Sequence, residues 1–280
     1  MLSNETLVSG ACQYIQFWNV TNGNKLNAID IKHIWYIYSV RVLSDEFTLV
    51  SAAANEITFW NLSNYEPIKT ISATDQSNMI TCVLQLESNL LISGSTNSNM
   101  SVWNIATGEL VNTLSGHNST VMCLALLFDC FASGSSDTTI RVWNKSNGKL
   151  VRILSGHTDC VWSLVVLNNS LLASGSADQT IRIWNTLNGK TLRILNGHST
   201  SVMSLAVLAD GITLASGSDD AQIRVWNTLN GQTIRVLEGH TGQVRSLSSL
   251  SENRLASGAA DQTIRIWNVT NGHTLIVINE

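Results

Sequence analysis

The side chains of this sequence that could transfer a proton, attack an electrophile or hold a metal are six His, five Cys and 20 Asp and Glu together. Most of them recur at fixed intervals instead of gathering in one place. His117, His157, His198 and His240 are followed after 20 to 22 residues by Asp137, Asp178, Asp220 and Asp261, with Ser133, Ser174, Ser216 and Ser257 shortly before each Asp. His33 falls at the same point of an earlier repeat, and His273 lies in the last strand-like run. With these set aside, no His, Cys or carboxylate cluster of metal-ligand spacing is left, and no nucleophile has an evident base. The sequence therefore predicts no enzyme, no metal site and no cofactor. Cys12, Cys82, Cys123, Cys130 and Cys160 fall at unrelated places in their repeats, apart from Cys82 and Cys123, so no disulfide framework is expected either.

What positions these residues is a repeat. Trp-Asn occurs at Trp18, Trp60, Trp103, Trp143, Trp184, Trp226 and Trp267, in steps of 42, 43, 40, 41, 42 and 41 residues. A period near forty decides the fold. In the unit His157–Asn196, the stretches Val161–Leu167 and Leu171–Ser176 are short apolar runs, while Thr180–Trp184 and Thr191–Leu195 alternate polar with apolar. Asn188-Gly189 reads as a type I′ hairpin turn, both of whose central residues need positive φ. Four antiparallel strands result, too few to be stable alone, so their apolar faces must be buried against neighbouring units. No Pro-, Ser- or charge-rich linker interrupts the repeat. Residues 1–280 are expected to form a single all-β domain of four-stranded blades centred on the seven Trp residues.

The motif Gly-His, Ser, Asp, Ile-Arg-Val-Trp-Asn resembles the WD-repeat (β-transducin-like) β-propeller family, with Asn where that family usually has the Asp of its Trp-Asp pair. The resemblance spans essentially the whole chain and implies a seven-bladed propeller around a central channel. It also implies buried structural tetrads: His117, Ser133, Asp137 and Trp143 in blade four; His157, Ser174, Asp178 and Trp184 in blade five; His198, Ser216, Asp220 and Trp226 in blade six; His240, Ser257, Asp261 and Trp267 in blade seven. Indole N–H, hydroxyl, imidazole and carboxylate would satisfy one another there, which permits their burial. Blades one to three depart from the pattern. Blade three has Ser93 and Trp103 but Asn97 for the Asp and Thr74 or Gln76 for the His; blade two has His33 and Ser51 but no Asp; blade one lacks both His and Asp. That part of the molecule is expected to be the looser.

Glu5–Gly10 matches a second strand and Thr274–Asn279 a fourth, so blade one is expected to lack its innermost strand. Either residues before Met1 supply it or something else fills the slot beside Leu7–Ala11, because folded proteins normally cover such an edge.

Differences among near-identical repeats show where the scaffold is free to vary. The position before the first strand's Val reads Thr120, Cys160, Ser201 and Gln243; the one after it reads Met122, Trp162, Met203 and Arg245; the one before the tetrad Asp reads Ser136, Ala177, Asp219 and Ala260. The corresponding residues are Tyr36 and Tyr38 in blade two, and Met79, Thr81 and Thr96 in blade three. In the family these positions surround the channel mouth on one face and form its usual partner-binding surface. The resemblance thus implies a surface rich in Tyr, Met and Trp, with Trp35 beside it and Asp219 and Arg245 as its clear charges. Aromatics, Met and Arg are enriched where binding energy concentrates, and Met packs adaptably. Met122, Met203 and Trp162 could instead fill gaps between blades. Arg41, where other repeats have Ala125, Val165, Ala206 and Ser248, faces the channel or pairs with a carboxylate. Arg141, Arg182, Arg224 and Arg265 are too regular for a specific site; a solvated face or stacking on neighbours accounts for them.

The expected function is a noncatalytic protein–protein interaction scaffold that holds a peptide or protein loop on this apolar and aromatic face. Alternatives are a reader of phosphorylated or acidic peptides using Arg245 and Arg41, which lacks the usual cluster of cations, and, less favoured, a propeller enzyme. With 13% charged residues, 16 Lys and Arg and a net charge of −4, the chain has no basic field for nucleic acid. No apolar stretch nears the roughly 18 residues of a membrane-spanning helix, and MLSNETLVSG is not leader-like. A cytoplasmic protein with no membrane partner is expected, the nucleus left open.

Overall fold

A computed structural model describes residues 5–11, 13–31, 36–73, 78–168, 170–251 and 253–279. Short runs of β-branched and apolar residues broken by Asn, Asp and Gly form strands throughout, and no helix occurs among the described residues. The strands make seven antiparallel sheets in chain order, an all-β seven-bladed propeller of four-stranded blades whose first blade has three strands. The chain divides into two compact units, Met1–Leu124 and Ala125–Glu280.

The first three sheets are β1 (Thr6–Ala11), β2 (Tyr14–Asn19) and β3 (Lys25–Asp30); β4 (Ile37–Val42), β5 (Thr48–Ala53), β6 (Glu56–Asn61) and β7 (Pro67–Ser72); and β8 (Ile80–Glu87), β9 (Leu90–Ser95), β10 (Met100–Asn104) and β11 (Leu110–Leu114). The fourth is β12 (Val121–Leu126), β13 (Cys130–Ser135), β14 (Ile140–Asn144) and β15 (Leu150–Leu154). The last three are β16 (Val161–Asn168), β17 (Leu171–Ser176), β18 (Ile181–Asn185) and β19 (Thr191–Leu195); β20 (Val202–Val207), β21 (Thr213–Ser218), β22 (Ile223–Asn227) and β23 (Thr233–Leu237); and β24 (Val244–Ser249), β25 (Arg254–Ala259), β26 (Thr263–Asn268) and β27 (Thr274–Asn279).

The second strands of the four-stranded blades are buried at their centres on both faces, since successive side chains alternate sides and neighbouring elements cover both. In β17 Leu172, Ala173, Ser174 and Gly175 are all buried. One core cluster joins Ala173, Ile181, Ile183 and Leu195 to Val202, Leu205, Leu214 and Trp226 of the next blade. In the first unit Ile15, Phe17 and Ile29 pack likewise on Leu49 and Trp60. The recurring Ser-Gly is explained by this packing. A Cβ on Gly175 would lie 2.7 Å from Val202 Cγ1, and one on Gly217 2.5 Å from Val244 Cγ1, so only Gly allows the next blade to approach. A Cβ on Gly258 would meet nothing within 4 Å.

The hairpin between third and fourth strands is not the two-residue type I′ turn that Asn188-Gly189 suggests. Gly189 has φ +77°, but Asn188 is not in the positive-φ region. The Gly189 N–H donates to the Asn185 carbonyl at 2.8 Å, and the Asn185 side-chain oxygen accepts the Leu187 and Asn188 N–H groups at 2.9 and 3.1 Å. Only the last loop residue must be left-handed, and the register shifts by one at Ile183/Trp184, as in a turn ending in a bulge. The Asn after each Trp is therefore the residue that closes the turn.

Candidate interaction surface

The tetrads assemble as a hydrogen-bonded relay. In blade five the Trp184 indole N–H donates to Ser174 Oγ at 2.7 Å, Ser174 Oγ lies 2.7 Å from His157 Nε2, and His157 Nδ1 lies 2.7 Å from Asp178 Oδ2. Asp178 also accepts the N–H of Thr158 at 3.1 Å and the N–H and hydroxyl of Thr180 at 3.0 and 2.6 Å. Blades six and seven repeat this, with His198 to Asp220 at 2.9 Å and His240 to Asp261 at 2.8 Å. In blade four Trp143 donates to Ser133 at 2.8 Å and Asp137 accepts from Thr139 at 2.9 Å. The Trp–Ser bond is also present in the first three blades: Trp18 to Ser9, Trp60 to Ser51 and Trp103 to Ser93, at 2.8–2.9 Å. His33, Trp35, Thr74 and Gln76 lie outside the described residues.

Burial alone would raise the Asp178 carboxyl, yet the His157 and Thr180 hydrogen bonds hold it well below the usual range. Asp261 is held at about 2 in the same way, with the Thr241 N–H the largest of the opposing contributions. Burial pushes the His198 and His240 imidazoles down despite their Asp partners. The consistent network is therefore a neutral imidazole, with Nδ1–H donating to the carboxylate and Nε2 accepting from the Ser hydroxyl. With its donors and acceptors spent internally, this Ser–His–Asp set is a structural tie.

In several blades a backbone hydrogen bond joins the position before the first strand to the one before the tetrad Asp. The N–H of Ala177 donates to the Cys160 carbonyl at 2.8 Å, that of Asp219 to Ser201 at 3.0 Å, and that of Ala260 to Gln243 at 2.9 Å. In the first unit the Thr96 N–H donates to Met79 at 3.0 Å, the Met79 N–H to Thr96 Oγ1 at 3.0 Å, the Thr120 hydroxyl to the Thr96 carbonyl at 3.5 Å, and the Tyr38 hydroxyl lies 3.6 Å from Met79 Sδ. Thr81 Oγ1 donates to the Gly94 carbonyl at 3.1 Å and also to that of Val121. Exposure then separates them. Tyr36, Tyr38, Asp219, Arg245 and Ala260 are exposed; Met79, Thr81, Thr96, Thr120, Met122, Ser136, Trp162, Ala177, Ser201, Met203 and Gln243 are half-buried. Cys160 is buried, its thiol 3.2 Å from Ser136 Oγ. Trp162 Nε1 is shielded from solvent and has no acceptor among the described residues.

The pattern of one family, WD domain, G-beta repeat (WD40), matches residues 108–144, 148–185, 189–227 and 231–268. The chain belongs to the WD40 family. Among solved structures it resembles the computationally designed Ika8 protein, at 29% identity and a TM-score of 0.79 over 99% of this chain and 85% of that one. Among curated proteins none matches. WD40 propellers are generally protein-interaction scaffolds and typically noncatalytic.

Three groups in this WD40 chain had only a partial signal in sequence, or none. The third-strand Arg residues stack: the Arg182 and Arg265 guanidinium groups lie 5.8 and 5.9 Å from the Trp184 and Trp267 ring centroids. A Cβ on Gly156 or Gly239 would reach within 2.8 Å of those same guanidinium groups, so the Gly of each Gly-His makes room for them. Basic residues of the fourth strands reach the hairpin of the following blade. Arg193 donates to the Leu229 carbonyl at 2.5 Å, Arg235 to Thr270 at 2.9 Å, and Lys69 to Ala106 at 3.0 Å. Their near-regular recurrence was the available clue. Arg41 is exposed and makes no hydrogen bond with the described residues, while Arg245 is held by Gln243 Oε1 at 2.9 and 3.2 Å. Cys82, Cys123, Cys130 and Cys160 form no disulfide among the described residues, and burial raises Cys82 to about 11. Among the described residues no group of three or more His, Cys, Asp or Glu comes together as a metal site. No helix among them is long and apolar enough to cross a membrane.

Proposed function

We propose that this chain is a noncatalytic interaction module, working in the cytoplasm, that holds a peptide or protein loop on the face built from the segments entering each inner strand. The observation that supports the reading is a division of labour within a few residues. Ile80, Val161, Val202 and Val244, which begin the inner strands, are at most 2% exposed, whereas Tyr36 and Tyr38 are 65% and 44% exposed. The first residue of those four strands is core, while the variable positions range from exposed Tyr36, Tyr38 and Arg245 through half-buried Trp162 and Met203 to buried Cys160. Tyr36, Tyr38 and Met79 in the first unit, and Trp162 and Met203 in the second, give apolar area at low ordering cost, with Arg245 and Asp219 as polar markers. Peptides selected from a random display library on the intact chain should bind the parent and lose binding to the Y38A/W162A/M203A variant. Retained binding would move the site elsewhere, and a large fall in melting temperature would show the three to be core. Affinity that persists from low to moderate salt fits the apolar face, whereas collapse over that range fits a reader of acidic or phosphorylated peptides through Arg245 and Arg41.

A further inference from the structure

The six inner strands share one pattern: a β-branched residue, any residue, Ser or Cys, Leu or Val, two further residues, then Leu, as in Val202, Ser204, Leu205 and Leu208. Each position has a packing role. The β-branched residue covers the Gly of the preceding blade, as Val202 covers Gly175. The hydroxyl ties adjacent inner strands: Ser204 Oγ donates to the Val244 carbonyl at 3.2 Å, and Ser163 Oγ accepts the Leu205 N–H at 3.1 Å.

The first sheet has no such strand among the described residues, and its exposure shows the difference. Leu7 is 8% exposed where its equivalent Leu172 is 0%. Val8 and Ser9 are half-buried and Gly10 is exposed, where Ala173, Ser174 and Gly175 are buried. The adjoining strand β4 is uncovered in the same way: Ile37 and Val40 are half-buried where Val161 and Val202, and Leu164 and Leu205, are buried. Among the described residues no side-chain hydroxyl reaches the Val40 N–H, although Ser39 Oγ lies 3.4 Å from the equivalent Val83 N–H in the next blade. The wall is preformed, since a Cβ on Gly10 would lie 3.0 Å from both Ile37 Cγ2 and Val40 Cγ2.

We propose that the Leu7–Ala11 edge of β1 and the adjoining face of β4 form an acceptor site for an extended polypeptide segment that carries the inner-strand pattern and adds antiparallel to β1. Main-chain hydrogen bonds to Leu7–Ala11 supply the attachment, the β-branched and Leu positions supply burial, and the Ser or Cys faces the Val40 N–H. Six filled copies of the same acceptor within one chain specify what fits. The proposal is independent of the loop-face reading above.

The test is to titrate the intact chain with a synthetic peptide of sequence His198–Leu208, followed by calorimetry and amide exchange. One peptide should bind per chain, slowing exchange of the Leu7–Ala11 amides about tenfold or more and leaving the outer strands β7 and β19 unchanged. A peptide with V202D and L205D should not bind. Absence of binding, equal binding of both peptides, or slowing spread over the outer strands would each overturn the assignment.

Discussion

Asp178→Ala tests whether the tetrads carry stability, and its cost follows from the hydrogen bonds that the carboxylate accepts. The His157 side chain is 0% exposed and that of Asp178 7%, so water cannot replace the carboxylate at His157 Nδ1 without opening the blade. An orphaned buried donor costs about 1–3 kcal/mol, and the net loss of the Thr158 and Thr180 bonds, which lie nearer solvent, adds about 1 kcal/mol. The sum is about 2–4 kcal/mol, which lowers the melting temperature by roughly 4–16 °C for a unit of this size. Asn97→Ala is the internal control. Asn97 stands at the equivalent turn of blade three, is exposed, and accepts the Asn99 N–H at 3.0 Å, so its loss should cost less than about 1 kcal/mol. Guanidinium unfolding followed by Trp fluorescence reads both variants, with exchange over β18 locating the damage. Equal losses from the two substitutions would show that the buried imidazole is not what makes the Asp necessary.

Acid should destabilise the fold in two stages. His198 and His240 titrate lower in the folded chain than their ordinary value near 6.5, so the unfolded chain binds more protons just below that pH and stability starts to fall there. Asp178, Asp220 and Asp261 are depressed below 3.8, so their contribution is complete above about pH 4 and is lost as pH falls further, that of Asp261 through about 2. A melting curve that stays flat from pH 7 to 5 would contradict the neutral imidazoles. Gly217→Ala should cost about 1–3 kcal/mol by overpacking against Val244, while Gly258→Ala, with open space above it, should stay within about 0.5 kcal/mol of the parent or gain slightly; equal effects in urea unfolding would refute the close-approach explanation. Amide exchange should be faster over residues 1–100, where complete tetrads are missing, than over 115–268, and uniform protection would count against the tetrads as the source of rigidity.

How much was readable in sequence depended on whether a constraint repeats. The strands could be placed from spacing because four near copies average out everything that is not scaffold, and the tetrad partners from the resemblance to the WD-repeat family. The Asn of each Trp-Asn was equally regular, yet its work was misread. A side chain that closes a turn and a dipeptide that forms a type I′ turn leave the same letters, and only the φ values and the Asn185 acceptor distances distinguish them. The repeated Arg residues showed regularity without direction, and their seat between Trp and Gly emerges only when the chain is folded.

By itself the sequence determined the period and the antiparallel four-strand unit, because these arise from short-range alternation and from residues a fixed number of positions apart, and through its resemblance to the WD-repeat family it named the buried polar groups. Tertiary structure alone decided which variable side chains reach solvent. Tyr38 and Met203 occupy the same place in their repeats, yet they end up exposed and half-buried, because exposure depends on what other strands pack against each side chain and not on its place in the repeat. Packing also decided that the space over Gly258 is open while its counterparts Gly175 and Gly217 are sealed. A glycine is recorded in the sequence, but what stands over it belongs to another strand.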